Sequence, residues 1–318
     1  GDLAQEHVPG GYRIPYDGRQ KKKAVTATTQ ALASGEKILY EAAFEFADVF
    51  VAVDILILGE DGWTMIEVKS STSVKDQHIP DTAVQVWVAQ ASGIDVTRVE
   101  LMHLNRGCRF PDLSDLFERT DITERVETFL PRVPIELEAQ RSMLDLPIPI
   151  VTAGRQCRIP YECPFLSRCE EPLPEGHVSE LHGLGRAGAQ EFLDAGQATI
   201  LDLRPKQLSG RAIWSRQREA AETRAVVRSK AFATVVPSAA GRVGYLDFET
   251  LAPAVPVWTG CGPYSNVPAQ FSLHIREDGE LAHHEFLAGP GQDPRPAVAA
   301  ALIATFSNCR VLFAYNAG

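Results

Sequence analysis

Asp54, Glu67 and Lys69 have the residue types and the spacing to do chemistry. They lie in VAVDILILGEDGWTMIEVKS, two apolar runs joined by the turn Gly59-Glu60-Asp61-Gly62. A charge inside such a run is costly unless something pairs with it. Two carboxylates and an ammonium at the ends of adjacent strands suit a divalent cation with a lysine beside it. Phosphodiester hydrolysis asks for that set: carboxylate oxygens hold a hard cation that polarises the phosphoryl group and lowers the pKa of bound water. Lys69 lies two residues past Glu67, so it shares a strand face with it and brings a second positive charge to the attacking water. The bland alternative is that Glu-Val-Lys is a solvated strand edge. Asp54, one hairpin earlier, favours the cation.

Two further groups carry chemistry. Cys157, Cys163 and Cys169 stand in QCRIPYECPFLSRC with five residues between neighbours. Half of the six cysteines within thirteen residues, in a chain with no export signal, is not a disulfide framework. Clustered thiolates suit zinc or an iron–sulfur cluster; three unrelated cysteines in a Pro-rich loop is the alternative. A fourth ligand is needed. Cys108 is available, but one upstream of Gly1 is the expectation. The second group is Asp247 and Glu249 in Gly244-Tyr-Leu-Asp-Phe-Glu-Thr250, where strand alternation puts both carboxylates on one face. A buried Asp-x-Glu paired with basic residues is the competing explanation.

The elements that must hold these residues follow from pattern. Short β-branched runs bounded by glycine predict strands over 51–58 and Trp63–Lys69. A strand over 37–47, a helix over 26–35, a helix over 81–92 and a strand over 96–105 complete an α/β domain, with a helical stretch carrying Glu124 and Arg125 after it. We expect this domain over residues 1–152, the cysteine segment over 153–172, a helical unit over 173–235 and a new domain over 240–318. In the last, strands are expected at 270–275 and 284–287. Asp293 reads as the cap of a helix over 297–304.

Composition narrows the classes. The 318 residues, 45% apolar, can fill ordinary cores, and no run approaches the ~20 apolar residues of a membrane span. No secretory signal is present, so a cytoplasmic chain with no membrane partner is expected. A net charge of −10 argues against bulk attraction to nucleic acid. Lys21-Lys22-Lys23 and the group Arg211, Arg216, Arg218, Arg224, Arg228 and Lys230 are local basic stretches that read first as solvated helix faces. The opening at Gly1 and the end at Tyr315-Asn316-Ala317-Gly318 read as a fragment at both ends.

These motifs carry a resemblance. Residues from about 8 to 169 resemble the RecB-like PD-(D/E)XK nucleases that bind a [4Fe-4S] cluster through cysteines, one near the N-terminus and three after the nuclease core. The resemblance makes Asp54 and Glu67 metal ligands, Lys69 catalytic, and Cys157, Cys163 and Cys169 cluster ligands. It also implies a catalytic glutamine on the helix after the Glu-x-Lys strand, matched by Gln85, although Ala89 stands where that family often has tyrosine. His78 is matched to nothing. Asp247 and Glu249 resemble the first motif of DnaQ-like 3′–5′ exonucleases, in which Asp-x-Glu binds two metals on a ribonuclease H-like sheet. A second acidic motif would follow the asparagine near the end, beyond Gly318, so this domain is expected to be truncated and inert. Gly183-Leu-Gly185 resembles a helix-hairpin-helix turn, which offers backbone N–H groups to a DNA phosphate. Taken together, the order of parts resembles an uncharacterised bacterial family of nuclease-type proteins.

The fold class expected is therefore α/β: a restriction-endonuclease-like core, a small helical unit and a partial ribonuclease H-like domain. The function expected is metal-dependent hydrolysis of DNA, single-stranded or at processed ends, using Mg2+ or Mn2+, with the iron–sulfur cluster stabilising the nuclease domain. The alternatives are a non-catalytic nucleic-acid-binding scaffold with a structural zinc or iron–sulfur site, and a zinc-stabilised interaction module.

Overall fold

The computed structural model describes residues 1–16, 18–148, 150–169, 172–228 and 241–314. Lys230 and Tyr315-Asn316-Ala317-Gly318 lie outside them. The described elements in chain order are α1 (Asp2–Glu6), β1 (Tyr12–Arg13), α2 (Lys21–Ala33), β2 (Ile38–Phe46), β3 (Val49–Leu58), β4 (Trp63–Lys69), α3 (His78–Ala91), β5 (Val96–Leu104), β6 (Phe117–Asp121), α4 (Thr123–Phe129), α5 (Val133–Leu144), α6 (Leu166–Cys169), α7 (Gly185–Asp194), α8 (Pro205–Leu208), α9 (Ala212–Thr223), β7 (Val243–Leu251), β8 (Val267–Glu277), β9 (Glu280–Leu287), α10 (Pro294–Phe306) and β10 (Val311–Ala314). The class is α/β. The chain divides into two compact units, residues 1–145 with 241–318, and residues 146–240.

In the first unit, β1 to β6 form one sheet in sequence order. β2, β3 and β4 run antiparallel in a meander, and β4 pairs parallel with β5 through the crossover helix α3. The hairpin between β3 and β4 closes where glycine requires it. Gly59 N–H donates to Gly62 O at 2.8 Å, and Gly62 has φ +129°. A Cβ on Gly62 would come within 2.6 Å of Thr97 Cγ2 and 2.8 Å of Asp95 O, so only glycine fits there.

Strand alternation then sorts β4 by face. Ile66 packs with Tyr40, Ile55 and Met102 on one side of the sheet, and Met65 packs with α2 and α3 residues, Ala24, Ala31, Ile79, Ala83 and Val86, on the other. Glu67 and Lys69, in phase with Met65, therefore face α3. The strand alternation and the apolar spacing of α3 are what the sequence predicts; α2 starts earlier, so Lys21, Lys22 and Lys23 form its exposed first turn.

The second sheet of this unit has the order β10-β7-β8-β9. β10 runs parallel to β7 and β8 antiparallel to it, with α10 as the crossover between β9 and β10. α10 covers one face through Val298 against Leu246, Phe271, Leu273 and Ile275. Asp293 caps this helix, accepting from Arg295 N–H, as its Pro-rich turn predicts. The loop from 252 to 266 packs on the first sheet's rim. Ala254 and Val255 lie against Leu104, Cys108 and Leu116. Phe110 and the 260–261 segment exchange backbone hydrogen bonds, and Tyr264 Oη donates to Ser70 O at 2.5 Å.

The second unit is helical around Val178, Leu181, Ala189, Ile200, Leu203, Leu208 and Trp214. Gly183 and Gly185 both have positive φ, +73° and +64°, at the entry to α7. No helix among the described residues is long and apolar enough to cross a membrane.

Candidate active site

Three elements build the site on the first sheet. β3 supplies Asp54, β4 supplies Glu67 and Lys69, and α3 supplies Asp81 and Gln85. The register Ile55↔Ile66 places Asp54 beside Glu67 on the neighbouring strand, and Asp54 Oδ2 accepts the Val68 N–H at 2.7 Å. Glu67 is 7% exposed. Its Oε2 accepts from Gln85 Nε2 at 2.7 Å and its Oε1 lies 2.7 Å from Lys69 Nζ. Lys69 Nζ also contacts Asp81 Oδ2 at 2.5 Å. The structure thus brings Asp54, Glu67, Lys69 and Gln85 together.

Burial shapes the electrostatics. Glu67 is pushed up to about 7, first by desolvation and then by the Asp54 charge. Asp54 is also raised, by burial and against the Val68 N–H, with Glu41 adding to the rise. The Lys69 ammonium is opposed by burial, but its contacts with Asp81 and Glu67 hold it above the ordinary lysine range. One lysine shared between Glu67 and Asp81 leaves the Asp54–Glu67 pair under-compensated. That shortfall, and hard oxygen donors, fit a divalent cation. Among the described residues no group of three or more His, Cys, Asp or Glu side chains is placed to hold a metal ion. A cation here would take two carboxylates and fill its remaining positions with water or substrate oxygens, as Mg2+ commonly does.

Two site residues escape a reading of the sequence. Asp81, taken there as the start of a helix, is the second partner of Lys69. Glu41 interrupts the β2–β3 ladder, with Tyr40 paired to Ile55 and Ala42 to Val53 on either side, and so stands opposite Asp54. Its φ is +57°, a left-handed conformation that costs on the order of 1–3 kcal/mol for a residue with a Cβ. Burial raises its carboxyl, opposed by Arg13. Nothing in ILYEAAFEF marks that kink; only the charge within an apolar run points to it.

The cysteines are not gathered in this way. Cys157 is buried, Cys163 half-buried and Cys169 exposed, and all three are free thiols. Cys163 N–H donates to Cys157 O at 2.7 Å, which folds the loop, but the three side chains form no ligand group. Cys108 is buried elsewhere, against Leu104 and Leu116, its thiol pushed up to about 11 by burial and then by Asp115. To hold a cluster the three thiols would have to move together.

Asp247 and Glu249 lie exposed on β7, opposite Ser272 and Gln270 of β8. Asp247 lines an open cleft of about 540 Å³ with Tyr245, Ser272, His274 and Phe313. They are carboxylates on a solvated sheet face, and among the described residues no basic side chain forms a salt bridge with either.

A family model described as Domain of unknown function (DUF2779) matches residues 244–318, the segment that carries Asp247 and Glu249. No curated protein and no solved structure matches the chain.

Proposed function

We propose that the chain is a metal-dependent nuclease that hydrolyses phosphodiester bonds of DNA at the Asp54–Glu67–Lys69 centre. The observation that carries this reading is the pairing of two desolvated carboxylates on adjacent strands, with Glu67 raised to about 7 and a lysine 2.7 Å from it. Asp54 and Glu67 would hold Mg2+ or Mn2+, which when bound supplies positive charge at the phosphoryl oxygens. Lys69 orients the attacking water and stabilises charge that develops in the transition state. Gln85 fixes the Glu67 carboxylate, and Asp81 fixes the Lys69 ammonium.

The other parts extend the reading. The four-strand order β9-β8-β7-β10 and the solvent-facing Asp247 and Glu249 support a ribonuclease H-like, DnaQ-type second metal centre. The glycine turn at Gly183 and Gly185 supports contact with a DNA backbone. A [4Fe-4S] cluster on Cys157, Cys163 and Cys169 remains the proposal for that segment, and requires the loop to rearrange.

Incubation of the protein with single-stranded and duplex DNA, with and without Mg2+ or Mn2+, tests the reading. Metal-dependent cleavage that disappears in Glu67→Gln is expected. Retention of DNA without cleavage under every metal condition would overturn it in favour of a binding scaffold.

A further inference from the structure

The face of α3 that meets β4 carries one group the nuclease chemistry has not used. His78, Asp81 and Gln85 are spaced three and four residues apart, so they share one side of the helix. Gln85 is bonded to Glu67 and Asp81 to Lys69. The helix therefore runs against the strand, and His78 comes next beyond Lys69, at the end where β4 leaves the sheet. Seven residues separate His78 from Gln85, about 10 Å of helix. That is too far to touch a phosphate held at Glu67, and suits the next phosphate along.

The ring is set up to donate. Lys75 N–H donates to His78 Nδ1 at 3.1 Å, which leaves the proton of the neutral imidazole on Nε2. Nε2 has no hydrogen-bond partner among the described residues, although the residue is 7% exposed. Burial, with the Lys69 and Lys75 charges, lowers the proton affinity of the ring and favours this neutral form. His103 supplies the contrast. It is buried to a similar degree beside Lys69 on β5, but its Nε2 lies 3.1 Å from Thr120 Oγ1 and its Nδ1 3.3 Å from Leu104 O. His103 is a satisfied core histidine, and His78 is not.

We infer that His78 binds the DNA backbone, its Nε2–H donating to a non-bridging oxygen of a phosphate that flanks the scissile one. The inference rests on the nuclease reading of the Asp54–Glu67 centre. In it, Lys69 and His78 are two hydrogen-bond donors set along the helix start, and successive phosphates lie along them.

The test measures binding of a labelled single-stranded oligonucleotide by the full chain, with Ca2+ in place of Mg2+. A second set of oligonucleotides carries one methylphosphonate at each position in turn. His78→Ala should weaken binding about tenfold, and His78→Gln, which keeps a donor, should recover part of it. One flanking methylphosphonate should weaken binding by the wild type and leave His78→Ala unaffected, a pattern that a merely structural role cannot produce. Equal binding by His78→Ala and wild type, or an unchanged mutational loss on every methylphosphonate substrate, would overturn the inference. If the wild type cleaves DNA while His78→Ala binds normally, only His78 loses its role. If the wild type neither binds nor cleaves, the nuclease reading fails as well.

Discussion

Gln85 donates its Nε2 to Oε2 of Glu67 at 2.7 Å, while its own Oε1 is buried without a partner among the described residues. A buried acceptor left unmade is expensive, so this amide is tolerated for what its other end does. It holds one oxygen of the carboxylate while Lys69 holds the other. Gln85→Ala should cost 10- to 100-fold in cleavage or in Mn2+ affinity, in the range of groups that orient a metal ligand. Mn2+ titration of wild type and variant separates the two effects.

Lys69→Ala should behave differently. Its proposed role lies in the transition state, so Mn2+ binding should persist while the rate falls roughly 10²–10³-fold. Single-turnover cleavage at saturating DNA measures the rate directly. Loss of metal binding of the same size would place Lys69 in the structure of the site instead.

The metal-free protein should lose stability as pH rises from about 4.5 to 7. Glu67 binds its proton more tightly in the folded state than in the unfolded chain, its value being raised from 4.5 to about 7. Across that window the native state holds the extra proton, so stability falls with increasing pH. The upward shift of Asp54 acts in the same direction. Melting of wild type and Glu67→Gln in EDTA at several pH values checks it. The variant should lose less stability over this window, and Mg2+ should restore stability to the wild type above pH 7.

The cysteine segment should carry iron with acid-labile sulfide when the protein is purified anaerobically. Cys163→Ser and Cys169→Ser should abolish both without changing far-UV circular dichroism of the remainder. One equivalent of zinc and no sulfide would refute the cluster and leave a zinc module.

Much of the first sheet and its central triad was legible because the controlling forces are local. Alternating β-branched residues around Gly59 and Gly62 specify a hairpin, and a hairpin puts Asp54 beside Glu67 without help from the rest of the chain. α3 announced itself by apolar spacing. Glu41 and Asp81 were hidden because their roles depend on what lies across the sheet. β6, reading Phe-Glu-Arg-Thr-Asp, shows no apolar alternation; its pairing with β5 is secured by Arg119 on buried Glu100. The cysteine spacing was read as convergence, but spacing gives only reach along the chain. The loop there turns through backbone contacts and leaves Cys169 in solvent.

The hydrogen bond from Tyr264 to Ser70 links positions 194 residues apart, one of them the residue that follows Lys69. Ala254 and Val255 cover Leu104, Cys108 and Leu116 close by. Loss of the 252–266 loop would uncover that apolar rim and release the exit of the strand that bears Lys69. A substitution in the 252–266 loop should therefore reach the strand end that bears Lys69 from outside the site.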